Sequence, residues 1–485
     1  MILSKEQINR YLRHIIMPEI SGAGQRKLLD AEVEVLSESA EVAAPLLYYL
    51  AAVGIGRINC VLADNQGQDV LFNNLMDLSS DIAITSDSKA PEKIMPGDIA
   101  CRIIFGSEIY AVYNLDSESA RGCPAIIAIN RGWDGYIQVL QQREQMENIL
   151  AELQTSKCDC ISPNEMGSIF STCLLGALTT IEVIKLLLNI GTSAYNPLSF
   201  DLWTMSFENQ EKDIPAASLF FKSKGEADRC QCISPSSPEY LKESPQSLAD
   251  RKALIVGTGG LGSPTAYALA RAGIGTIGLV DYDIVDISNL NRQILHSTSR
   301  LGFLKVDSAE IFLRQLNPDV SIVKHNTDFN VDNAVEIISG YDVIIDGVDN
   351  FPARYLLNDA CFLNHKPMIE AGVAGFEGMG MTIIPGHGMC YRCLFPQIPA
   401  PGTIPSCSET GVLGPVPGVM GFIEACEAAK LLTGQGMILT DSLLAFDALE
   451  LSFEIFQNGK NEACPLCGLN PTIRELQNYQ VKCDN

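Results

Sequence analysis

The sequence predicts an α/β protein in which one unit, built on a mostly parallel sheet, occurs twice in unequal copies. Three echoes carry this prediction. Segment 31–64 overlays segment 250–283, bringing Gly54-Ile55-Gly56 onto Gly273-Ile274-Gly275, Pro45 onto Pro264 and Asp64 onto Asp283. Both segments read as strand, tight turn, helix, turn and strand. The apolar run 176–185 returns as 421–430, each ending in lysine and followed by two leucines. FDLWTMSFE at 200–208 returns as FDALELSFE at 446–454. Three echoes in one order are the signature of duplication.

In chain order, residues 1–30 are expected to form an N-terminal helical arm and 31–210 the first unit. Residues 211–249, rich in Ser, Pro, Lys and Glu, read as a linker with one short helix. Residues 250–485 form the second unit, with a short polar tail beyond 468. A length of 485 residues accommodates this organisation, and 47% hydrophobic with 19% charged residues excludes a disordered chain. The net charge of −24 argues against nucleic acid as the main partner, because phosphate binding needs a basic face. No apolar run long enough for a membrane span is expected, and the first residues do not read as a signal peptide. Sixteen cysteines without an export signal point to metal and thiol chemistry in a reducing, cytoplasmic setting.

The chemistry concentrates in the second copy. A buried strand ending at Val256 runs into Gly257-Thr258-Gly259-Gly260-Leu261-Gly262 and then a helix from about Ser263. Glycines permit a tight turn and close backbone approach, and the helix start offers unpaired N–H groups to a phosphate. Asp281 closes the next strand, where a carboxylate accepts ribose hydroxyls. In the first copy Glu38, Ala40, Glu41 and Ala43 stand where Gly257, Gly259, Gly260 and Gly262 stand in the second, and Leu62 replaces Asp281. Side chains there block a phosphate and carboxylates repel it, so one copy alone is expected to bind nucleotide.

Downstream residues bear on which nucleotide. Asp283, Asn289, Arg292 and Gln293 follow the ribose position, then His296 and Lys305, and Asp349-Asn350 follow the apolar strand YDVII. Two cations with a carboxylate suit a triphosphate with magnesium better than a pyrophosphate. A dehydrogenase site ringed by surface charges is the alternative from residue chemistry alone.

GTGGLGSP, DYDIVDISNLNRQ, GFLK and DGVDN, in this order, resemble the MoeB/ThiF family, bacterial relatives of ubiquitin-activating enzymes. The resemblance is close over 250–468 and degenerate over 6–210. It implies two Rossmann-like ThiF-type units packed as a pseudo-two-fold dimer. It further implies ATP-dependent adenylation of the C-terminal glycine of a small sulfur-carrier or ubiquitin-like protein. Carried over, Asp281 would hold ribose, Asn289, Arg292 and Lys305 the triphosphate, and Asp349 a Mg²⁺ ion. Arg10-Tyr11-Leu12-Arg13-His14 resembles the family's RYxRQ segment, whose arginine reaches the ATP of the opposite subunit. It precedes the degenerate copy and has no match before the second, so Arg13 is expected to cross to the second unit's nucleotide.

Cys390-Tyr391-Arg392-Cys393 and Cys464-Pro465-Leu466-Cys467 form two CxxC knuckles separated by 70 residues, which fit a closed structural Zn²⁺ site; the family has such a site. Cys407 lies in a polar, glycine-rich loop that would expose a thiol. Its position resembles the family's crossover-loop cysteine, which forms a thioester or persulfide with the carrier; a bystander thiol is the other reading. Cys158/Cys160 and Cys230/Cys232 leave a second metal open. Most other cysteines read as core, His325 and His387 as surface, and Trp133 and Trp203 as packing or partner-binding.

The leading expectation is an adenylyltransferase that activates a carrier's C-terminal carboxylate, with Cys407 in a later transfer and sulfur from a separate donor protein. Adenylation of a short ribosomal peptide, and an ATP-holding scaffold without turnover, are the rivals.

Overall fold

The computed structural model describes residues 3–86, 99–107, 123–142, 145, 149, 165–209, 247–400, 403 and 407–479, with the backbone alone at 407 and 408. Most of the expected linker lies outside the described residues, as do Cys158, Cys160, Cys230 and Cys232.

The duplication is visible strand by strand. The first sheet contains β1 (Glu32–Ser39), β2 (Arg57–Asp64), β3 (Ala83–Thr85), β4 (Cys101–Gly106), β5 (Ala125–Arg131), β6 (Asp134–Leu140), β7 (Leu198–Asp201) and β8 (Ser206–Asn209), in the order β3-β2-β1-β4-β5-β6-β7-β8. The second contains β9 (Lys252–Val256), β10 (Thr276–Val280), β11 (Ser321–His325), β12 (Val343–Asp346), β13 (Met368–Ala374), β14 (Glu377–Ile383), β15 (Ser442–Asp447) and β16 (Ser452–Gln457), in the order β11-β10-β9-β12-β13-β14-β15-β16. In each sheet the first five strands of that order pair in parallel and the last three antiparallel. Both units therefore have a Rossmann-like half, whose buried strands read as continuous apolar runs, extended by an antiparallel meander.

The two units meet through matched contacts, as an isologous interface requires. Phe207 stacks on Phe453, which holds the same place in the FDxxxxSFE echo, with centroids 4.0 Å apart. Thr192 N–H donates to Leu449 O at 2.8 Å, and Met437 N–H donates to Trp203 O at 2.7 Å; Trp203 and Leu449 also share a place in that echo. Lys185 pairs with Glu182 and Lys430 with Glu427, each at 2.7 Å. The Glu182 and Glu427 carboxylates then accept from Ala194 N–H and Leu439 N–H. The echoed lysines thus end buried helices whose charge is neutralised one turn back.

Those helices, Met166–Leu188 and Val416–Thr433, lie at the interface, which corrects one expectation. Met166–Leu188 is long and apolar enough by composition to cross a membrane, but 89% of its apolar window is buried inside the protein. Its hydrophobicity on all sides reflects burial between two sheets rather than a bilayer. Trp133 packs edge-on against Trp203 at 5.5 Å, giving both tryptophans a packing role. Cys60, Cys101, Cys173, Cys361 and Cys426 are core residues.

The arm begins with the helix Lys5–Arg10, closed by a Ser4–Gln7 capping box. Arg10 is buried, and its guanidinium donates to Leu78 O in the first unit at 2.7 Å and to Thr298 Oγ1 in the second at 3.1 Å. The arm therefore lies on both units. Residues 469–479 are not a free tail either. Ile473 is buried, and the Tyr479 ring sits 5.2 Å from the Arg392 guanidinium, with its hydroxyl donating to Asp359.

Candidate active site

A cleft of about 1130 Å³ opens at the carboxyl ends of β9, β10 and β12, where open α/β sheets bind ligands. Gly257 leaves β9 with φ +97°, and a Cβ there would overlap the Gly347 carbonyl at the end of β12. Gly262 opens the helix Gly262–Arg271, and its Cβ would overlap the Gly257 carbonyl. These glycines exist because backbone meets backbone. Gly259 differs: the nearest atom to its Cβ position is Gln293 Nε2 at 3.6 Å, so the missing side chain leaves open space facing the cleft. That space is the cradle a phosphate needs, and it separates two expected outcomes. Gly259→Val should fold normally but bind ATP at least about tenfold more weakly, whereas Gly262→Ala should lower the melting temperature by distorting the loop. Calorimetric ATP titration and thermal melts distinguish them; full ATP affinity in Gly259→Val would contradict the cradle.

Most other expected residues line the same cleft. Asp281 is fixed by accepting from Thr258 N–H and its hydroxyl, both at 2.8 Å, and from Asp283 N–H at 2.9 Å. Lys305 pairs with Asp283 at 2.9 Å, and Arg292 donates to Ser288 O at 2.8 Å and Asn291 Oδ1 at 2.9 Å. Gly257, Gly260, Gln293, Asp349 and Asn350 also form walls, and Asn350 Oδ1 caps the helix Phe351–Leu363 by accepting from Ala353 N–H. Arg13 comes from the arm and lines the same cleft as Gly259, Gly260 and Arg292.

Asn289 Oδ1 accepts from Asp286 N–H at 3.1 Å in a local capping box. Two expectations need correcting. His296 adds no cation; it is buried, bonded to Ser308 and to Thr258 O, and burial lowers its pKa from 6.5 to about 3. His325 has a partner, the Tyr341 hydroxyl at 2.8 Å.

In the first unit the cradle is plugged. Glu38, at the Gly257 position, accepts from Ser107 N–H and its hydroxyl, each at 2.8 Å. Glu41, at the Gly260 position, turns to the other unit and pairs with Arg271 at 3.0 Å. Leu62 is buried where Asp281 lines the cleft.

Sequence reasoning missed the cleft floor. Arg354 lies one turn after the Asn350 cap, so its side chain shares that face of the helix. Its guanidinium bonds Asp346 at 2.9 Å, approaches Glu370 at 3.3 Å and donates to Ala371 O at 2.8 Å, while Asp346 accepts from Val348 N–H. This ties down the turn that carries Asp349. Glu424 joins the cluster from the helix Val416–Thr433, accepting from Thr265. Three buried carboxylates thus surround one arginine, and burial pushes Glu370 up to about 7 and Glu424 well above the ordinary range. A carboxyl raised above its unfolded value stabilises the fold below that value and loses the contribution as pH rises through 7. Glu370→Gln should therefore raise the urea midpoint at pH 8 and leave it nearly unchanged at pH 5; the reverse pattern would contradict an uncompensated carboxylate.

Cys390, Cys393, Cys464 and Cys467 converge, with their Sγ atoms within 4.8 Å of one another and three pairs at 3.2–3.6 Å. Zinc–sulfur bonds of about 2.3 Å in a tetrahedron place sulfurs about 3.8 Å apart. The four thiols fit that ion. Arg392, inside the first knuckle, forms two bonds of 2.7 and 2.9 Å with Asp359 on the helix that carries Asn350 and Arg354. Tyr391 and Phe395 of the knuckle line the cleft. Cys407 begins the one-turn helix Cys407–Thr410, a helical start where the sequence suggested loop.

Comparison with known proteins adds a family. A model of the ThiF family matches residues 237–466. The chain is 44% identical over 230 residues to the SAMP-activating enzyme E1 of Haloferax volcanii, covering 47% of this chain and 85% of the relative. It is 42% identical over 251 residues to the sulfur carrier protein adenylyltransferase of Thermus thermophilus, covering 51% and 93%. With the adenylyltransferase and sulfurtransferase MOCS3 of Culex quinquefasciatus the identity is 42% over 231 residues, and the chain spans 53% of that relative's length.

Proposed function

Since the chain belongs to the ThiF family, we propose that it is an ATP-dependent adenylyltransferase whose second unit activates the C-terminal carboxylate of a small ubiquitin-like sulfur carrier. The observation that carries this reading is that Arg13 of the arm lines one cleft together with Gly259, Gly260 and Arg292. A cation from outside the unit completes a triphosphate site there. The cleft then continues past Gly372, Val373 and Ala374 to Met379 and Ala445, leaving room for an extended peptide beyond the nucleotide.

On this reading Asp281 takes the ribose hydroxyls, and the loop N–H groups with Arg292, Lys305 and Arg13 take the phosphates. Asp349 would hold Mg²⁺, which draws charge from the phosphate oxygens. A carboxylate oxygen of the carrier attacks the α-phosphorus, the α–β phosphoanhydride bond breaks, and the electron pair leaves on pyrophosphate. Fixed cations are already in place where that charge develops, which is how such sites lower a barrier. The Glu38 plug supports a single site per chain. Cys407 would act afterwards, its thiolate displacing AMP to give a thioester, or bearing sulfur from a donor protein.

Intact mass spectrometry of a Gly-Gly-ended carrier after incubation with the protein and Mg·ATP tests this, with one added adenylyl group expected. Modification of a short peptide instead would move the substrate class. Cys407→Ala should still form the adenylate but slow thiocarboxylate formation; loss of the adenylate itself would contradict the assigned role.

A further inference from the structure

Arg13 is not the arm's sole link to the second unit. His14 follows it on the one-turn helix Leu12–Ile15 and is wholly buried. Gly414 N–H donates to His14 Nε2 at 2.9 Å, which places the ring proton on Nδ1, donated to Gln25 Oε1 at 2.9 Å. Gln25 Nε2 in turn donates to Val53 O at 2.9 Å. One imidazole thus joins the first unit to the segment that follows Cys407–Thr410. Val412 N–H donates to the Arg13 carbonyl at 3.3 Å. A Cβ at Gly411 would overlap that carbonyl, and one at Gly414 would overlap Asn291 O, the neighbour of Arg292. The arm and segment 411–414 therefore meet backbone to backbone, with His14 as the side chain that fixes their register.

We infer that His14 is a positioning residue: by locking the arm onto residues 411–414 it holds Arg13 at the phosphate end of the second unit's cleft. The inference rests on the placement of the triphosphate proposed above. A four-residue helix does not hold its own geometry in water. An arginine side chain also has many rotamers to choose among, so its backbone must be anchored for the guanidinium to be preorganised. Neutral His14 supplies that anchor as an acceptor on one nitrogen and a donor on the other.

The test is a double-mutant cycle read by calorimetric Mg·ATP binding to the full chain. Arg13→Ala and His14→Ala should each weaken binding by about tenfold, and their combination no further, because the second residue acts through the first. His14→Gln, whose side-chain carbonyl can accept from Gly414 N–H, should stay within about threefold of the parent protein. Losses that add in the double variant, or His14→Gln binding as weakly as His14→Ala, would overturn the inference. If His14→Ala does not fold, Gln25→Leu, which removes the Nδ1 partner, enters the same cycle with the same expectations. Nucleotide binding is read separately from turnover. A non-additive cycle without carrier adenylation would count against the proposed reaction and leave the role of His14 standing.

Discussion

Arg13→Ala should abolish most adenylation, by about 10²-fold or more, while leaving the melting temperature near that of the parent protein. The fold should survive because the buried links that Arg10 and His14 make from the arm to the two units remain in this variant. Activity should fall because no other described residue of the first unit's arm reaches the cleft wall. Carrier adenylate formed per minute, with a circular-dichroism melt as control, measures both. Unchanged turnover would remove the premise that the site is composite.

Metal loss should have the second large effect. Cys464→Ser, or exhaustive chelation, should lower the melting temperature strongly and release one equivalent of zinc, read by elemental analysis. A structural Zn²⁺ site in small domains contributes on the order of 10 kcal/mol of binding free energy. Here the consequence should extend to the cleft. Arg392 holds Asp359 on the same helix as Asn350 and Arg354, so loosening the knuckle loosens the support of the Asp349 turn. Weaker ATP binding at temperatures where the metal-free protein is still folded is the expected sign. A zinc-free protein with parental stability would contradict a structural metal.

What was legible in the sequence was whatever depends on backbone pattern. The two sheets could be anticipated because duplicated strands and glycine turns retain their spacing even where the chemistry has decayed. The glycine loop was legible because Gly257 and Gly262 answer steric demands that no other residue meets. The four knuckle cysteines were legible because metal geometry imposes CxxC spacing.

The misreadings share one physical origin: a polar residue's role depends on which neighbour takes its hydrogen bonds. His296 reads as a cation in sequence but is buried and neutral against Thr258 O. Glu41, read only as a side chain that blocks phosphate in the first unit, is also a partner for Arg271 across the interface. Arg354 was accessible in principle, since four residues after a helix cap returns the side chain to the same face. Docking of the residues after 468 was not, because it depends on Tyr479 finding Asp359 and Arg392 across 120 positions of chain.

On the proposed reading, the second unit makes a carrier acyl-adenylate at a site completed by the first. ATP–pyrophosphate exchange by the purified full chain, with and without a Gly-Gly-ended ubiquitin-like carrier, tests it most directly. Exchange should depend on the carrier and its free C-terminal carboxylate and be lost in Arg13→Ala. Measurable ATP binding without exchange, for a panel of such carriers and short peptides, would contradict it and leave a nucleotide-holding scaffold.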